Sequence, residues 1–415
     1  MRLTEDEIYR SSTQFRLWSF TPGPLASLRA TTNSTATQRV KAAVKRLRES
    51  RTQSETNSEA ENGTSTPVNF NREPDCLTTE EEMKVVEAFC ERAIKLGEFL
   101  KFPSNVTATG VQYIRRFYLF NSPMTYEPKS IMISALFLAN KIEDNKMECS
   151  DYANSIPGTT KEQVLAPEFL ITQALRFTFD IRHPFRGLQG GHMEMLAIAQ
   201  GKAAVLPYVE RTAGELQQEM LKLPILPGGV ATKMSQHQVE NRLLAATDKA
   251  KHTLRSSAIQ SDAYFLYTPS QIWLAAYLLA DEVLALFYLS TKFPSTIDAE
   301  TPTGIAKLKV VATVRACASV LAPDPALQKL SNAERDAMVK QEVNAVKAIL
   351  VKLRHCQDPD KMDLVKLNKA QKRDAGAEGK LEESVAKRRK LEREKNEKEA
   401  DEFWGPELPK NGKKA

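Results

Sequence analysis

The sequence is short of the residues that build metal and redox centres. Its 415 residues include five cysteines, Cys76, Cys90, Cys149, Cys317 and Cys356, and no two of them form a C-x-x-C pair. That spacing excludes a zinc ribbon, a thioredoxin-like redox site and a disulfide-stapled secreted scaffold, and it fits a reducing compartment. The five histidines, His183, His192, His237, His252 and His355, show no H-E-x-x-H or other metal-ligand spacing. No metal is expected. Neither G-x-G-x-x-G, G-x4-G-K-[ST] nor G-x-S-x-G occurs, so phosphate loops and a nucleophile elbow are missing as well. The chain therefore offers no catalytic residue and no cofactor site, and it is not expected to be an enzyme.

Long apolar runs and one-sided charge are also scarce. Ile272 to Leu289 is the longest apolar stretch, and Asp281 and Glu282 interrupt it, so no membrane span is expected. The opening Met1-Arg2-Leu3-Thr4-Glu5-Asp6 turns acidic at once, unlike a secretory signal. Of the net charge of +6, the last fifty residues supply +4 through 15 Lys/Arg against 11 Asp/Glu, which leaves only +2 for the rest. A groove that tracks DNA or RNA needs a clearer basic surface. No direct nucleic-acid contact is expected.

What is present is helical periodicity, over a length that suits two or three domains. No segment alternates convincingly with period two, so the fold class is all-α. In residues 1–48, Thr4 and Glu7 stand at capping-box spacing, and a strip of Tyr9, Phe15, Trp18 and Phe20 makes a short amphipathic helix ended by Thr21-Pro22-Gly23-Pro24. A second helix runs from Leu25 past a Thr/Asn-rich stretch to Val44 and Leu47. Residues 49–75 are Ser, Thr, Glu, Asn and Gln with little to bury, which predicts a disordered linker.

Leu77-Thr78-Thr79-Glu80-Glu81-Glu82 then marks a helix start. Further helices are predicted over Val106–Phe120, Pro128–Glu143, Lys161–Phe179, within Leu188–Leu221 and Gln236–Ser257, and within Ala333–Leu353. Beyond Asp358-Pro359 the chain is Lys/Glu/Arg-rich and reads as a charged, largely disordered tail.

One pattern repeats. Tyr126-x-Pro128-x-x-Ile131-x-x-x-Ala135-x-x-Leu138-Ala139 returns as Tyr267-x-Pro269-x-x-Ile272-x-x-x-Ala276-x-x-Leu279-Ala280, at an offset of 141 throughout. Proline suits a first helical turn, and the Ile, Ala and Leu/Ala positions share one face. Six matches at one offset favour a duplicated helical domain over two unrelated buried helices.

Two such domains, each with a central helix opening Tyr-x-Pro, resemble the tandem folds of the cyclins, and most closely the cyclin H family. Tyr113-Ile-Arg-Arg-Phe-Tyr-Leu-Phe-Asn-Ser122, Met124-Thr-Tyr126-x-Pro128 and Ala135-Leu-Phe-Leu-Ala-Asn-Lys-Ile-Glu143 are similar to its first cyclin box. Asp262-Ala-Tyr-Phe-Leu-Tyr-Thr-Pro-Ser-Gln-Ile272 is similar to its second. Tyr9-Arg-Ser-Ser-Thr-Gln-Phe-Arg-Leu-Trp-Ser-Phe20 with Leu25-Ala-x-Leu28-Arg29 resembles its extra N-terminal helix. The implied architecture is two five-helix bundles, 76–182 and 183–332, with an additional N-terminal helix, a C-terminal helix at 333–357 and the tail 358–415.

The resemblance implies a regulatory subunit that holds a cyclin-dependent kinase in its active pose. In this family that kinase is the CDK-activating kinase, which joins a ring-finger assembly subunit and the core of transcription factor IIH, acts on RNA polymerase II, and is nuclear. Two other readings stand beside it: a transcriptional cyclin of the C, K or T type, and a tandem-fold DNA-binding adaptor similar to transcription factor IIB. The adaptor family carries a zinc ribbon, for which this chain has no cysteines.

By the same resemblance, Lys141 ends the third helix of the first fold and pairs with Glu168 on the fifth, both facing the kinase, with Ile142 and Phe179 adding apolar contacts. Read as residues alone, Lys141 is a helix-end lysine, Glu168 a helix-start acid, and Ile142 and Phe179 core positions. Pro167 departs from the family pattern, so the fifth helix either restarts there or bends. Tyr9, Phe15 and Trp18 either pack on the cyclin folds or reach a partner. His183, at the junction of the halves, reads as structural. In the tail, Lys387-Arg388-Arg389-Lys390, below Lys372-Arg373, is a candidate nuclear import signal or a solvated helix face, and Glu402-Phe403-Trp404 is a docking peptide or nothing.

Overall fold

The computed structural model describes residues 5–55, 74–204, 211–294, 300–323, 330–361 and 364–365, and all regular structure among them is helical. Thr4, the candidate import signal and Glu402-Phe403-Trp404 lie outside these residues.

The N-terminal strip forms two short helices rather than one, α1 (Glu5–Ser11) and α2 (Thr13–Trp18). Ser12 breaks them apart because it takes extended backbone angles and its Oγ accepts from the Phe15 amide at 3.3 Å. Helix α3 (Pro22–Glu55) is continuous through the Thr/Asn-rich stretch and runs on past the predicted boundary at 48, so residues 49–55 are helical and not linker. Its polar side chains do not compete with the helix. Thr31 and Thr35 donate to carbonyls four residues back, while Thr32 donates to Leu119 O and Asn33 to Leu77 O, both 2.8 Å away on the first fold. Leu25, Ala36, Val40 and Ala43 give α3 its buried face.

The first fold comprises α4 (Thr79–Phe99), α5 (Ser104–Phe120), α6 (Pro128–Ile142), α7 (Cys149–Asn154), α8 (Lys161–Leu165) and α9 (Glu168–Ala174). Thr78 and Glu81 close a capping box at the start of α4. The predicted single helix over 161–179 is cut in two at Ala166-Pro167, since proline brings no N–H to bond the preceding turn, and α9 begins anew with Ile171 N–H donating to Pro167 O at 2.9 Å. Helix α6 is central and packs on both α4 and α5.

The second fold comprises α10 (Phe185–Ala199), α11 (Ala213–Leu221), α12 (Gln236–Thr253) with a π-helical turn at Leu254–Ala258, α13 (Ala263–Leu266), α14 (Pro269–Ala280), α15 (Glu282–Ser290) and α16 (Pro302–Leu321). Helix α14 is the counterpart of α6 and packs against α10, α12 and α16. The repeated face is equivalent at its start, with Ile131, Ala135, Ile272 and Ala276 all fully buried, and diverges at its end, where Leu138 is buried and Leu279 is 40% exposed. Gly187 and Gly191 let α10 lie flat on Trp273, because a Cβ at either would stand 2.5 Å from the indole. The apolar run 272–289 is folded back on itself at Asp281, which caps α15 through the Leu284 amide and holds Arg242 at 2.6 and 2.9 Å. No described helix is long and apolar enough to cross a membrane. The final helix, α17 (Asn332–His355), buries Ile349 and Leu353 and returns to α4, where Lys352 bonds Glu81 at 2.9 Å.

The parts meet at Asp262, just before α13. Arg29 of α3 grips its carboxylate with two bonds of 2.6 and 2.8 Å, and Arg115 of α5 adds a third at 2.5 Å. Burial works to raise the Asp262 pKa, but the two guanidiniums outweigh it and hold the carboxyl below its usual range. Replacing Asp262 with Ala leaves two part-buried cations without their anion, and urea unfolding is expected to show a loss of about 3–5 kcal/mol. Glu82 is a contrasting case. It is buried against Ser122, and burial pushes its pKa up to about 7 despite hydrogen bonds from Ser122 and Asn33. The folded state thus keeps a proton that the unfolded chain releases near 4.5, so stability falls as pH rises between these values, by at most roughly 3 kcal/mol. Glu82→Gln is expected to remove that slope and raise the melting temperature at pH 8.

Candidate functional site

The end of α6 and the start of α9 come together at the surface. Helix α6 stops where Asp144 takes a left-handed φ of 51° and Asn145 N–H reaches back to Asn140 O at 3.0 Å. Asn140 ties down the following loop through Met147 O at 2.9 Å. This leaves Lys141 in the last turn of α6 and Glu168, released by the break at Pro167, as the first residue of α9. Lys141 Nζ donates to Glu168 Oε1. The cation sits at the negative end of one helix and the carboxylate at the positive end of another, so both macrodipoles favour the pair.

The pair is open to solvent, with Lys141 41% and Glu168 26% exposed. Large apolar side chains are its neighbours in sequence: Ile142 follows Lys141, Phe169 follows Glu168 and Leu165 ends α8, and all are exposed, Phe169 by 62%. Phe177, equally exposed, follows the far end of α9. A single helix over 161–179 does not mark Phe169 or Phe177 as surface positions; their exposure follows from the Pro167 break and the turn at Arg176 and Phe177.

Phe179 lies elsewhere. It is half-buried, its ring stands edge-on to Tyr113 at 6.3 Å, and its carbonyl accepts from the Tyr113 hydroxyl at 2.8 Å. Arg176 and Phe177 adopt left-handed φ values of 53° and 56°, which turn the chain sharply after α9 into the strap 178–183. The N-terminal helices brace this strap. Trp18 is fully buried and its Nε1 donates to Thr178 Oγ1 at 2.9 Å, with the Arg116 guanidinium 4.7 Å above the indole. Gln14 Oε1 accepts from the Arg182 amide at 2.6 Å. Tyr9 is 8% exposed and packs edge-on against Phe15 at 5.6 Å, and only Phe15 of the three aromatics keeps appreciable surface. A partner-facing role for Tyr9 and Trp18 is therefore corrected: both rings are occupied within the chain.

His183 ends the strap. Its Nε2 lies 2.8 Å from Thr109 Oγ1 and its Nδ1 lies 3.0 Å from the Tyr264 hydroxyl, so it spans the two folds. Burial, and then the nearby Arg116 charge, lower its pKa to about 3, and the ring is neutral at physiological pH. Among the described residues no group of three His, Cys, Asp or Glu side chains is placed to hold a metal ion.

A half-exposed ion pair contributes little to folding, so Lys141→Ala is expected to change unfolding free energy by no more than about 1 kcal/mol. Trp18→Ala, by contrast, is expected to lower it by about 3–5 kcal/mol in the same denaturation assay.

Comparison with known proteins agrees with this fold. Residues 64–180 match the cyclin N-terminal domain and residues 183–322 the cyclin C-terminal domain. Cyclin CCL1 of Saccharomyces cerevisiae is 28% identical over 294 residues, which cover 71% of this chain and 63% of that protein. The match thus spans a little under two thirds of that relative's length. A chain of the CAK complex of Chaetomium thermophilum, bound to ATP-gamma-S, superposes with a TM-score of 0.65 at 30% identity over 90% of this chain and 96% of its own. A chain of the yeast TFIIK (Kin28/Ccl1/Tfb3) complex gives a TM-score of 0.50 at 25% identity, covering 76% of this chain and 100% of that one. The protein belongs to the cyclins, within the cyclin H family.

Proposed function

We propose that this chain is the regulatory subunit of a cyclin-dependent kinase of the CDK-activating type, acting in RNA polymerase II transcription and cell-cycle control. The carrying observation is the Lys141–Glu168 pair, partly exposed at the meeting of two helix ends, with Ile142, Leu165 and Phe169 exposed at the ends of α6 and α8 and the start of α9. An uncovered apolar patch around a polar centre suits a protein partner. Lys141 keeps further N–H donors and Glu168 a second oxygen for the kinase, while the two helix termini hold the pair ready before docking. Pre-organisation of this kind lowers the ordering cost of association. The kinase conformer whose mobile helix fits the patch gains contact energy that the inactive conformer does not, and the equilibrium moves toward it.

Lys141, Glu168 and Ile142 make this contact, and Phe177, exposed beyond the end of α9, adds to it. Phe179 acts by bracing the strap against Tyr113. The chain works in the nucleus, in an assembly with a ring-finger subunit and the core of transcription factor IIH, a reading that the likeness to chains of the CAK and TFIIK complexes supports.

The test is phosphorylation of an RNA polymerase II tail peptide by a purified candidate kinase, with and without the full chain. The chain alone is expected to transfer no phosphate and to raise the kinase's rate when added. Glu168→Lys is expected to weaken kinase affinity at least about 30-fold, the low end of removing one member of a docked charge pair. Unchanged affinity would take Glu168 out of the site.

A further inference from the structure

A line of hydrogen bonds begins in the second fold and stops at the residue after Ile142. Glu143 receives Asn105 Nδ2 at 2.7 Å on one carboxylate oxygen and Thr109 Oγ1 at 2.6 Å on the other. Thr109 Oγ1 is also 2.8 Å from His183 Nε2, and His183 Nδ1 is 3.0 Å from the Tyr264 hydroxyl.

Counting hydrogens fixes every direction. A carboxylate only accepts, so Thr109 gives its single O–H proton to Glu143, and its oxygen accepts from His183. Nε2 therefore carries the imidazole proton, Nδ1 presents a lone pair, and Tyr264 donates to it. With the ring neutral at physiological pH, this arrangement has one consistent order: Tyr264 to His183 to Thr109 to Glu143. Each bond polarises the next in the same sense. The members sit on α13, on the strap between the folds, on α5 and at the end of α6.

Glu143 is not a neutral place for the line to end. Its own N–H bonds Ala139 O at 2.9 Å as the closing bond of α6, and the chain reverses at Asp144 immediately after. Whatever fixes the Glu143 side chain fixes the final turn that carries Lys141 and Ile142. The Asp262 cluster already joins the two folds, so a second join is not needed merely to hold them together. This one leads specifically to the docking patch.

We propose that His183 and Tyr264 are positioning residues for kinase docking: acting through Thr109 and Glu143, they let the second cyclin fold set the direction in which the first presents Lys141 and Ile142. The inference rests on the reading that this patch docks the kinase.

The test measures affinity of the full chain for the kinase it activates, with melting temperature followed in parallel. Tyr264→Phe keeps the ring and removes the donor, and Thr109→Val keeps the shape and removes the hydroxyl. Each is expected to weaken kinase affinity about threefold to tenfold, the range for one lost hydrogen bond. In a Lys141→Ala/Ile142→Ala background the same changes are expected to have no further effect, because the groups they position are gone. His183→Gln, whose amide offers both a donor and an acceptor, is expected to stay within about twofold of the parent, while His183→Leu follows Tyr264→Phe. Affinity unchanged in Tyr264→Phe and Thr109→Val, equal losses with and without the Lys141 and Ile142 side chains, or equal losses in His183→Gln and His183→Leu would each overturn the inference. If Lys141→Ala itself leaves affinity unchanged, the docking reading fails first and separately.

Discussion

One carboxylate holds the arrangement of this molecule. Asp262 takes three bonds from two guanidiniums, Arg29 on the N-terminal helix and Arg115 on the first fold, while itself belonging to the second. Such a cluster adds little net stability over a well-packed apolar contact, because all three groups must leave water. Its value lies in selectivity. Apolar surfaces slide against one another at small expense, whereas a carboxylate bridged by two planar forks is satisfied in only one alignment. Trp18, Leu25, Leu119 and Phe265 then fill the space beside it with contributions from the same three parts of the chain.

That alignment bears on the site through the strap 178–183. The strap leaves α9 through two left-handed residues and is pinned by Trp18, Gln14, Tyr113 and, at its end, by Thr109 and Tyr264 through His183. Left-handed backbone at Arg176 and Phe177 is held only because the hydrogen bonds on either side over-determine it. The N-terminal helices thus act at a distance from the Lys141–Glu168 pair, as a brace for the segment that follows it. The rings of Tyr9 and Trp18 are spent inside the chain, whereas Ile142, Leu165, Phe169 and Phe177 stand exposed.

Pro167 shows how a departure from a family pattern can serve the site. Without a break, Glu168 would sit mid-helix with its carboxylate beside no free amides. With it, Glu168 becomes the first residue of a new helix, in the field of unpaired N–H groups, facing a lysine at the opposite kind of helix end. The break costs a hydrogen bond and supplies the electrostatic setting in which the two charges pair while partly solvated.

Much of this was legible in the residues. The 141-residue repeat gave the duplicated fold, the helical spacing gave the start of α4 and placed α5, α6 and α17 to within a residue or two, and the cyclin-like motifs contained Arg29, Arg115 and Asp262 without revealing that they touch. Local signals carried those features because capping, periodicity and proline chemistry act over a few residues and are written in order along the chain. The helical reading carried α3 through its threonines, but not its run past residue 48, nor the carbonyls of Leu77 and Leu119 that satisfy Asn33 and Thr32, which stand far away in sequence. Hidden too were the exposure of Phe169 and Phe177 and the line from Tyr264 to Glu143, and only the structure chose packing over a partner for Trp18. Each depends on which surfaces meet, and a meeting of distant segments is fixed by packing and paired charge in three dimensions, which no local pattern encodes.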